Sequence, residues 1–183
     1  MGTLLAFEWL SADGVFDANN MDEWFFPYDS AERRAVIKDA YQQADVLLMG
    51  RNTYEMLAPY WSGLPDDDKD GLAGVITHTP KFVASDGPVV AKWGETTLLK
   101  GDVEAEVEKL KDTVGTVLII GSATLAESLA QAGLVDGYKL LVQPFIMGTG
   151  RRFFSNAMKA PVELAGVKEC GQGILLLDYQ VKH

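Results

Sequence analysis

The residues best placed to do chemistry sit where short apolar strands break off at glycine. Val117-Leu118-Ile119-Ile120 is rich in β-branched residues and reads as a buried strand. Gly121 ends it, and Ser122-Ala123-Thr124-Leu125-Ala126-Glu127 opens a helix, with Thr124 and Glu127 at capping-box spacing. A strand that stops at glycine and turns straight into a helix exposes backbone N–H donors and the positive end of the helix dipole. Such a junction suits an anion, most often a phosphate; the plainer alternative is a glycine that only turns and a cap that only caps. Val46 to Met49, followed by Gly50-Arg51-Asn52-Thr53, repeats the arrangement. For proton transfer the first candidate is Asp13, on the turn Ser11-Ala12-Asp13-Gly14 after the first strand, although Asp-Gly is also a common turn pair. Trp24, Phe25, Tyr54 and Trp61 could wall a flat ring, with core packing as the alternative.

The elements that must hold these residues alternate between strand and helix. Thr3 to Leu10 reads as a strand. Asp29 with Glu32 forms a second possible capping box, ahead of Val36, Ile37, Ala40, Tyr41 and Ala44 at helical spacing. Ser62 to Gly74 is acidic and glycine-rich, which predicts a solvated loop. Lys81 to Ala84 is a strand closing at Ser85-Asp86-Gly87-Pro88, and Thr97 to Leu99 is a further short one. Val103, Val107, Leu110 and Val114 give an amphipathic helix, and the helix from Thr124 ends near Gly133. Tyr138 to Val142 is a strand, Gly148 to Arg152 a tight basic loop, and 162–168 with 174–181 a closing antiparallel pair. The expected architecture is α/β: one domain over residues 1–183, with a mixed, mostly parallel sheet, helices on both faces and an antiparallel end.

Composition narrows the function. A formal charge of −10 argues against nucleic acid and anionic membrane surfaces, both of which reward clustered Lys and Arg. Cys170 is the only cysteine, and His78 and His183 are the only histidines. An intrachain disulfide is therefore excluded, and a metal site or a histidine-based triad is not expected. The first residues lack a basic stretch and turn acidic at Glu8, a poor signal peptide, and no apolar run reaches membrane-spanning length. A soluble, cytoplasmic protein is expected.

Several local patterns occur in a recognisable order: Ser-x-Asp-Gly after the first strand, Gly-Arg-x-Thr-Tyr-Glu after the second, and Ile-Gly-Ser-Ala-Thr-Leu at residues 120–125. Gly133-Leu134-Val135-Asp136, Pro144-Phe145-Ile146-Met147-Gly148-Thr149-Gly150 and Phe153 follow. From about Thr3 to Val181 the chain resembles the dihydrofolate-reductase-like superfamily, and more closely the C-terminal reductase domain of the riboflavin-biosynthesis deaminase–reductase and its stand-alone relatives. The resemblance implies a dihydrofolate-reductase-like three-layer fold that binds NADPH and transfers a hydride to a C=N or C=O bond of a small pterin-, pyrimidine- or flavin-like heterocycle. It would place Gly50, Arg51 and Thr53 at the pyrophosphate and the adenosine 2′-phosphate side, and Ser85 at the adenosine ribose or its phosphate. Ile120, Gly121, Ser122, Ala123, Thr124 and Leu125 would cradle the pyrophosphate. It would also make Asp13 the catalytic acid, with Glu32 a second candidate, because dihydrofolate reductases carry their acid on the helix before the Gly-Arg-x-Thr strand. A homodimer is a further implication, which the late apolar strands also favour. The competing readings are a nucleotide-binding module without turnover and a genuine reductase of 5-amino-6-(5-phosphoribosylamino)uracil or dihydrofolate. Two departures count against the last: Val15 stands where the biosynthetic reductases usually carry a basic residue, and one cysteine could not build a zinc-deaminase half.

Overall fold

In the computed structural model, which describes residues 1–154 and 159–182, strand β1 (Thr3–Ser11) divides the molecule into two cores. Leu5, Phe7 and Trp9 face one side with Val36, Ile37, Tyr54, Ala58, Leu72 and Ile76. Leu4, Ala6 and Leu10 face the other with Val107, Leu110, Ala123, Ala126 and Leu129. Period-two alternation in the strand therefore supplies both faces, each covered by helices. His183 lies outside the described residues.

The remaining strands are β2 (Val46–Gly50), β3 (Lys81–Ala84), β4 (Thr96–Leu99), β5 (Thr116–Ile120), β6 (Gly137–Gln143), β7 (Val162–Glu169) and β8 (Leu175–Val181). They form one eight-stranded sheet in the order β4-β3-β2-β5-β1-β6-β8-β7, with β8 running against the others. Helices α1 (Met21–Trp24), α2 (Ala31–Gln42), α3 (Arg51–Trp61) and α4 (Asp68–His78) pack on the first face. Helices α5 (Val103–Thr113) and α6 (Ala123–Gln131) pack on the second. The chain leaves β1 towards the first face and leaves its neighbour β5 towards the second. Adjacent strands that diverge in this way open a crevice at their C-terminal ends, the usual ligand position in open α/β sheets. β5 also stops early: Phe7 pairs with Ile120, the last residue of β5, so beyond Phe7 the β5-side edge of β1 is uncovered.

Three local expectations are corrected. The stretch Ser62 to Gly74 is loop only in part, because α4 begins inside it; Lys69, Asp70 and Gly71 still have left-handed φ values of 50, 59 and 81°, and regular turns start at Leu72. An acidic surface hides the apolar spacing of Leu72, Ala73 and Ile76, all buried. At α2 the cap is Ser30, whose hydroxyl accepts the Arg33 N–H at 2.9 Å, while Asp29 pairs with Arg33 and Arg34 instead. At α6 the cap position is Ser122, so Thr124 lies inside the first turn and its hydroxyl accepts from Arg151 at 2.7 Å. No helix among the described residues is long and apolar enough to cross a membrane.

Candidate active site

The two strand–glycine–helix junctions lock into each other. Gly121 and Ser122 both have left-handed φ, 60 and 62°, and this turns the Ser122 side chain onto the other junction. Its hydroxyl accepts the Gly50 N–H at 2.6 Å and lies 2.7 Å from Thr53 Oγ1. Gly50 is the cap residue of α3 and Ser122 that of α6, so the two helix N-termini meet here. The first N–H groups of each helix have no intrahelical partner and carry the positive dipole end. Gly50 N–H and the Ser122 hydroxyl are engaged with each other. Direct phosphate contact by those two groups is therefore corrected to a structural clasp, with the donors of residues 51–53 and 123–125 left to face a ligand.

Further out, the Arg51 guanidinium lies beside Gly87, with Nη1 3.1 Å from where a Cβ on that glycine would be. The Ser85 hydroxyl donates to Gly87 O at 2.8 Å. Glu55 fixes the following segment by accepting the Val90 and Ala91 N–H groups; these bonds, with the Arg51 charge, hold its carboxyl below the usual range. Arg51 and Ser85 thus meet at the outer end of the same edge.

The crevice beyond β5 holds a small cavity of about 120 Å³, walled by Phe7, Trp9, Phe16, Met21, Trp24, Tyr41, Met56, Leu57 and Trp61, with Thr53, Ile120 and Gly121 at the junction side. Two carboxyls also line it, Asp17 and Glu8. Glu8 is 2% exposed, and its Oε2 accepts the Gly121 N–H at 3.1 Å while Oε1 has no partner among the described residues. Burial pushes the Glu8 carboxyl well above the usual range, and the Gly121 bond only partly offsets this. Burial also raises the Tyr41 phenol, and the nearby Glu8 charge adds to the effect. Sequence reasoning missed Glu8. Its signal was a lone acid within Leu4-Leu5-Ala6-Phe7-Glu8-Trp9-Leu10, two residues from the core positions Ala6 and Leu10 on either side.

A second, larger cavity of about 720 Å³ shares Trp9, Met21, Tyr41, Leu57 and Trp61 with the first and extends to Phe25, Tyr60, Leu72 and Ile76. Phe25 stacks on Trp9, ring centroids 4.1 Å apart and planes 13° off parallel, and the Arg33 guanidinium lies 4.3 Å above it. Trp24 walls the small cavity, Phe25 the large one and Trp61 both. Tyr54 is corrected to a core residue. It is 1% exposed, packs against Trp93, touches Thr96 and Ala91 through its hydroxyl, and lines neither cavity.

Neither acid named from the sequence is placed to donate a proton. Asp13 accepts from the Ser11 hydroxyl at 2.6 Å, Met147 N at 3.1 Å and Gly148 N at 2.8 Å, which hold its carboxyl at about 2. An ionised acid with this many donors has no proton to give; it fastens the 145–148 loop to the first turn. Because its folded value lies below the ordinary one, this fastening is present above about pH 4 and is lost as pH falls through about 2. Asp13→Ala is expected to speed amide hydrogen exchange at Met147 and Gly148 roughly tenfold at neutral pH. Unchanged exchange there would remove the fastening role. Glu32 is exposed and its carboxyl lies beside Gly171, near the β7–β8 turn, away from both cavities.

Residues 3–176 match the RibD C-terminal domain. The chain belongs to that family. YyaP of Bacillus subtilis (strain 168) is 22% identical over 143 residues, which is 77% of this chain and 76% of YyaP. Acinetobacter baumannii RibD superposes with a TM-score of 0.69 at 14% identity, covering 100% of this chain and 58% of RibD. A dihydrofolate reductase from Enterococcus faecalis, solved with NADP(H), superposes with a TM-score of 0.62 at 17% identity, covering 100% of this chain and 98% of the reductase. At these identities the structural likeness is one of fold, and the fold is dihydrofolate-reductase-like. Within this RibD C-terminal domain, Val15 is fully buried, and its backbone bridges to Arg152. The Arg152 guanidinium reaches Asp13 O, and Phe16 N–H donates to Arg151 O at 2.7 Å. The Gly148–Arg152 loop is thereby laced to the turn that follows β1.

Proposed function

We propose that the protein is an NADPH-dependent reductase of a C=N or C=O bond in a small pterin-, pyrimidine- or flavin-like heterocycle. The observation that carries this reading is the crevice between β1 and β5: interlocked helix N-termini on one wall and aromatic rings on the other. Membership of the RibD C-terminal domain family and the fold shared with a dihydrofolate reductase solved with NADP(H) support a nicotinamide cofactor. The residues fit it. Arg51 and Ser85 would hold the adenosine 2′-phosphate side, where a guanidinium favours the phosphorylated cofactor. Thr53 and Ala123 to Leu125 would take the pyrophosphate on their helix-terminal N–H groups, with Ile120, Gly121 and Ser122 shaping the turn beneath it. NADPH, when bound, would supply the hydride. Trp24 and Trp61 would seat the substrate ring and keep water from it.

Titration of the purified protein with NADPH and NADH, followed by tryptophan quenching, tests the reading. Arg51→Ala is expected to weaken NADPH binding by about tenfold or more while changing NADH much less. Binding of neither nucleotide to the wild type would remove the reductase reading.

We also propose a homodimer. β7 is one of the two edge strands of the sheet, and Val162, Leu164 and Val167 are 43, 51 and 54% exposed along it. An exposed apolar edge of this kind is normally covered. Sedimentation as a monomer at micromolar concentration would overturn this.

A further inference from the structure

Glu8 is an acid with nothing to balance its charge. Across the small cavity it faces Tyr41 from α2, Asp17 from the segment after β1, and Thr53, Met56 and Leu57 from α3. From the β5–α6 junction it meets only Ile120 and Gly121, and no lysine, arginine or histidine lines this cavity among the described residues. Ionised, Glu8 would be a buried anion whose Oε1 has no donor among the described residues. Neutral, it keeps the Gly121 N–H on Oε2 and carries its proton on Oε1. Burial favours that form. The result is an O–H donor, almost wholly buried, with no acceptor among the described residues. Buried polar groups are satisfied with few exceptions, and the exceptions call for an explanation. Here the missing partner is an acceptor on a ligand.

On the reading of this crevice as a reductase site, we infer that Glu8 is its catalytic acid, giving a hydrogen bond and then a proton to a ring nitrogen or carbonyl oxygen of an uncharged flat heterocycle. For a C=N substrate the π bond breaks, the carbon gains the hydride and the nitrogen gains the Glu8 proton. The carboxylate left behind recovers a proton from water. The cavity's size and charge define the substrate class. At about 120 Å³ it admits a single ring system, close to the ~150 Å³ of an engineered cavity that holds benzene. An anionic ring would meet Asp17 and no cation among the described residues. Any bulkier substituent belongs in the adjoining aromatic cavity of about 720 Å³.

Carbon-13 NMR of protein labelled at the glutamate carboxyls, with Glu8→Gln identifying the resonance, reads the acid directly. A neutral-acid shift at pH 7 is expected, and a carboxylate shift overturns the assignment. This measurement needs no cofactor, so it decides the state of Glu8 even if NADPH fails to bind and the reductase reading falls. The uncharged pterin 7,8-dihydrobiopterin then serves as the probe. Glu8→Gln retains an N–H donor and is expected to bind it within about threefold of wild type, whereas Glu8→Met, with no donor, binds at least about tenfold more weakly. With NADPH present, Glu8→Gln is expected to reduce the probe about a hundredfold more slowly or worse. Equal affinity of Glu8→Met and wild type overturns the hydrogen bond. A wild type that binds both molecules and does not reduce the probe, or a Glu8→Gln variant of normal rate, overturns the role as acid.

Discussion

Gly121→Ala is expected to cost about 2–4 kcal/mol of stability and to weaken NADPH binding with it. Two effects add. A φ of 60° is left-handed, which costs a residue with a Cβ roughly 1–2 kcal/mol. The new methyl would also sit 2.7 Å from Thr53 Cγ2 and 3.1 Å from Thr53 Oγ1. Thr53 cannot simply turn away, because its hydroxyl is 2.7 Å from that of Ser122, which holds Gly50 N–H in turn. Strain at Gly121 therefore passes to the start of α3, where Arg51 and the free N–H groups stand, and to the Glu8 bond on its own amide. A double-mutant cycle with Thr53→Ala separates the two effects. Removing the threonine methyl should relieve the clash and leave the φ strain, a coupling of about 1 kcal/mol or more. Equal costs of Gly121→Ala in both backgrounds would show that the junctions do not press on one another.

The junctions were legible because their signal is local: a short apolar run that stops at a glycine, followed at once by a helix. The same holds for the strand order of events along the chain and for the antiparallel close at β7 and β8. What was not legible depends on partners far along the chain. Asp13 reads as an available acid until Met147 and Gly148, more than 130 residues away, arrive to hold it ionised. Glu8 reads as one charged residue in the second half of a strand. Only the assembled sheet, with helices on both faces and β5 ending at Ile120, turns that position into a buried wall of a cavity. Tyr54 shows the converse. It neighbours Thr53, which does line the cavity, but one residue is about 100° of helical turn, enough to send its ring into the core. The missed start of α4 has a compositional cause, since Asp and Gly favour loops while Leu72 and Ile76 bury themselves regardless.

Trp93→Ala is expected to cost about 3–5 kcal/mol without altering the crevice. Trp93 is fully buried, touches Tyr54 with ring centroids 6.0 Å apart, and donates from Nε1 to Thr77 Oγ1 at 3.3 Å. It also roofs a buried lysine. Lys81 Nζ lies 4.6 Å from the indole centroid and donates to Thr77 O at 2.6 Å and Thr79 O at 2.8 Å. Burial pushes the Lys81 ammonium down to about 8, from 10.5. Between those values the unfolded chain binds more protons than the folded one, so this group makes stability rise with pH across that window. In Trp93→Ala water would reach the ammonium, its proton affinity would recover, and the rise would flatten. The stability gap between wild type and variant, measured by urea unfolding, should therefore widen from pH 8 to pH 10, by at most about 1.4 kcal/mol per unit. Tyr41, Tyr138 and Cys170 titrate alike in both proteins and cancel in that difference. A gap that stays constant would mean that the indole does not keep water from Lys81. NADPH affinity at a temperature where the variant is folded should stay within about threefold of wild type, since Trp93 lines neither cavity. Stability lost with affinity kept at Trp93, and both lost at Gly121, would assign the cofactor to the junctions rather than to the integrity of the fold as a whole.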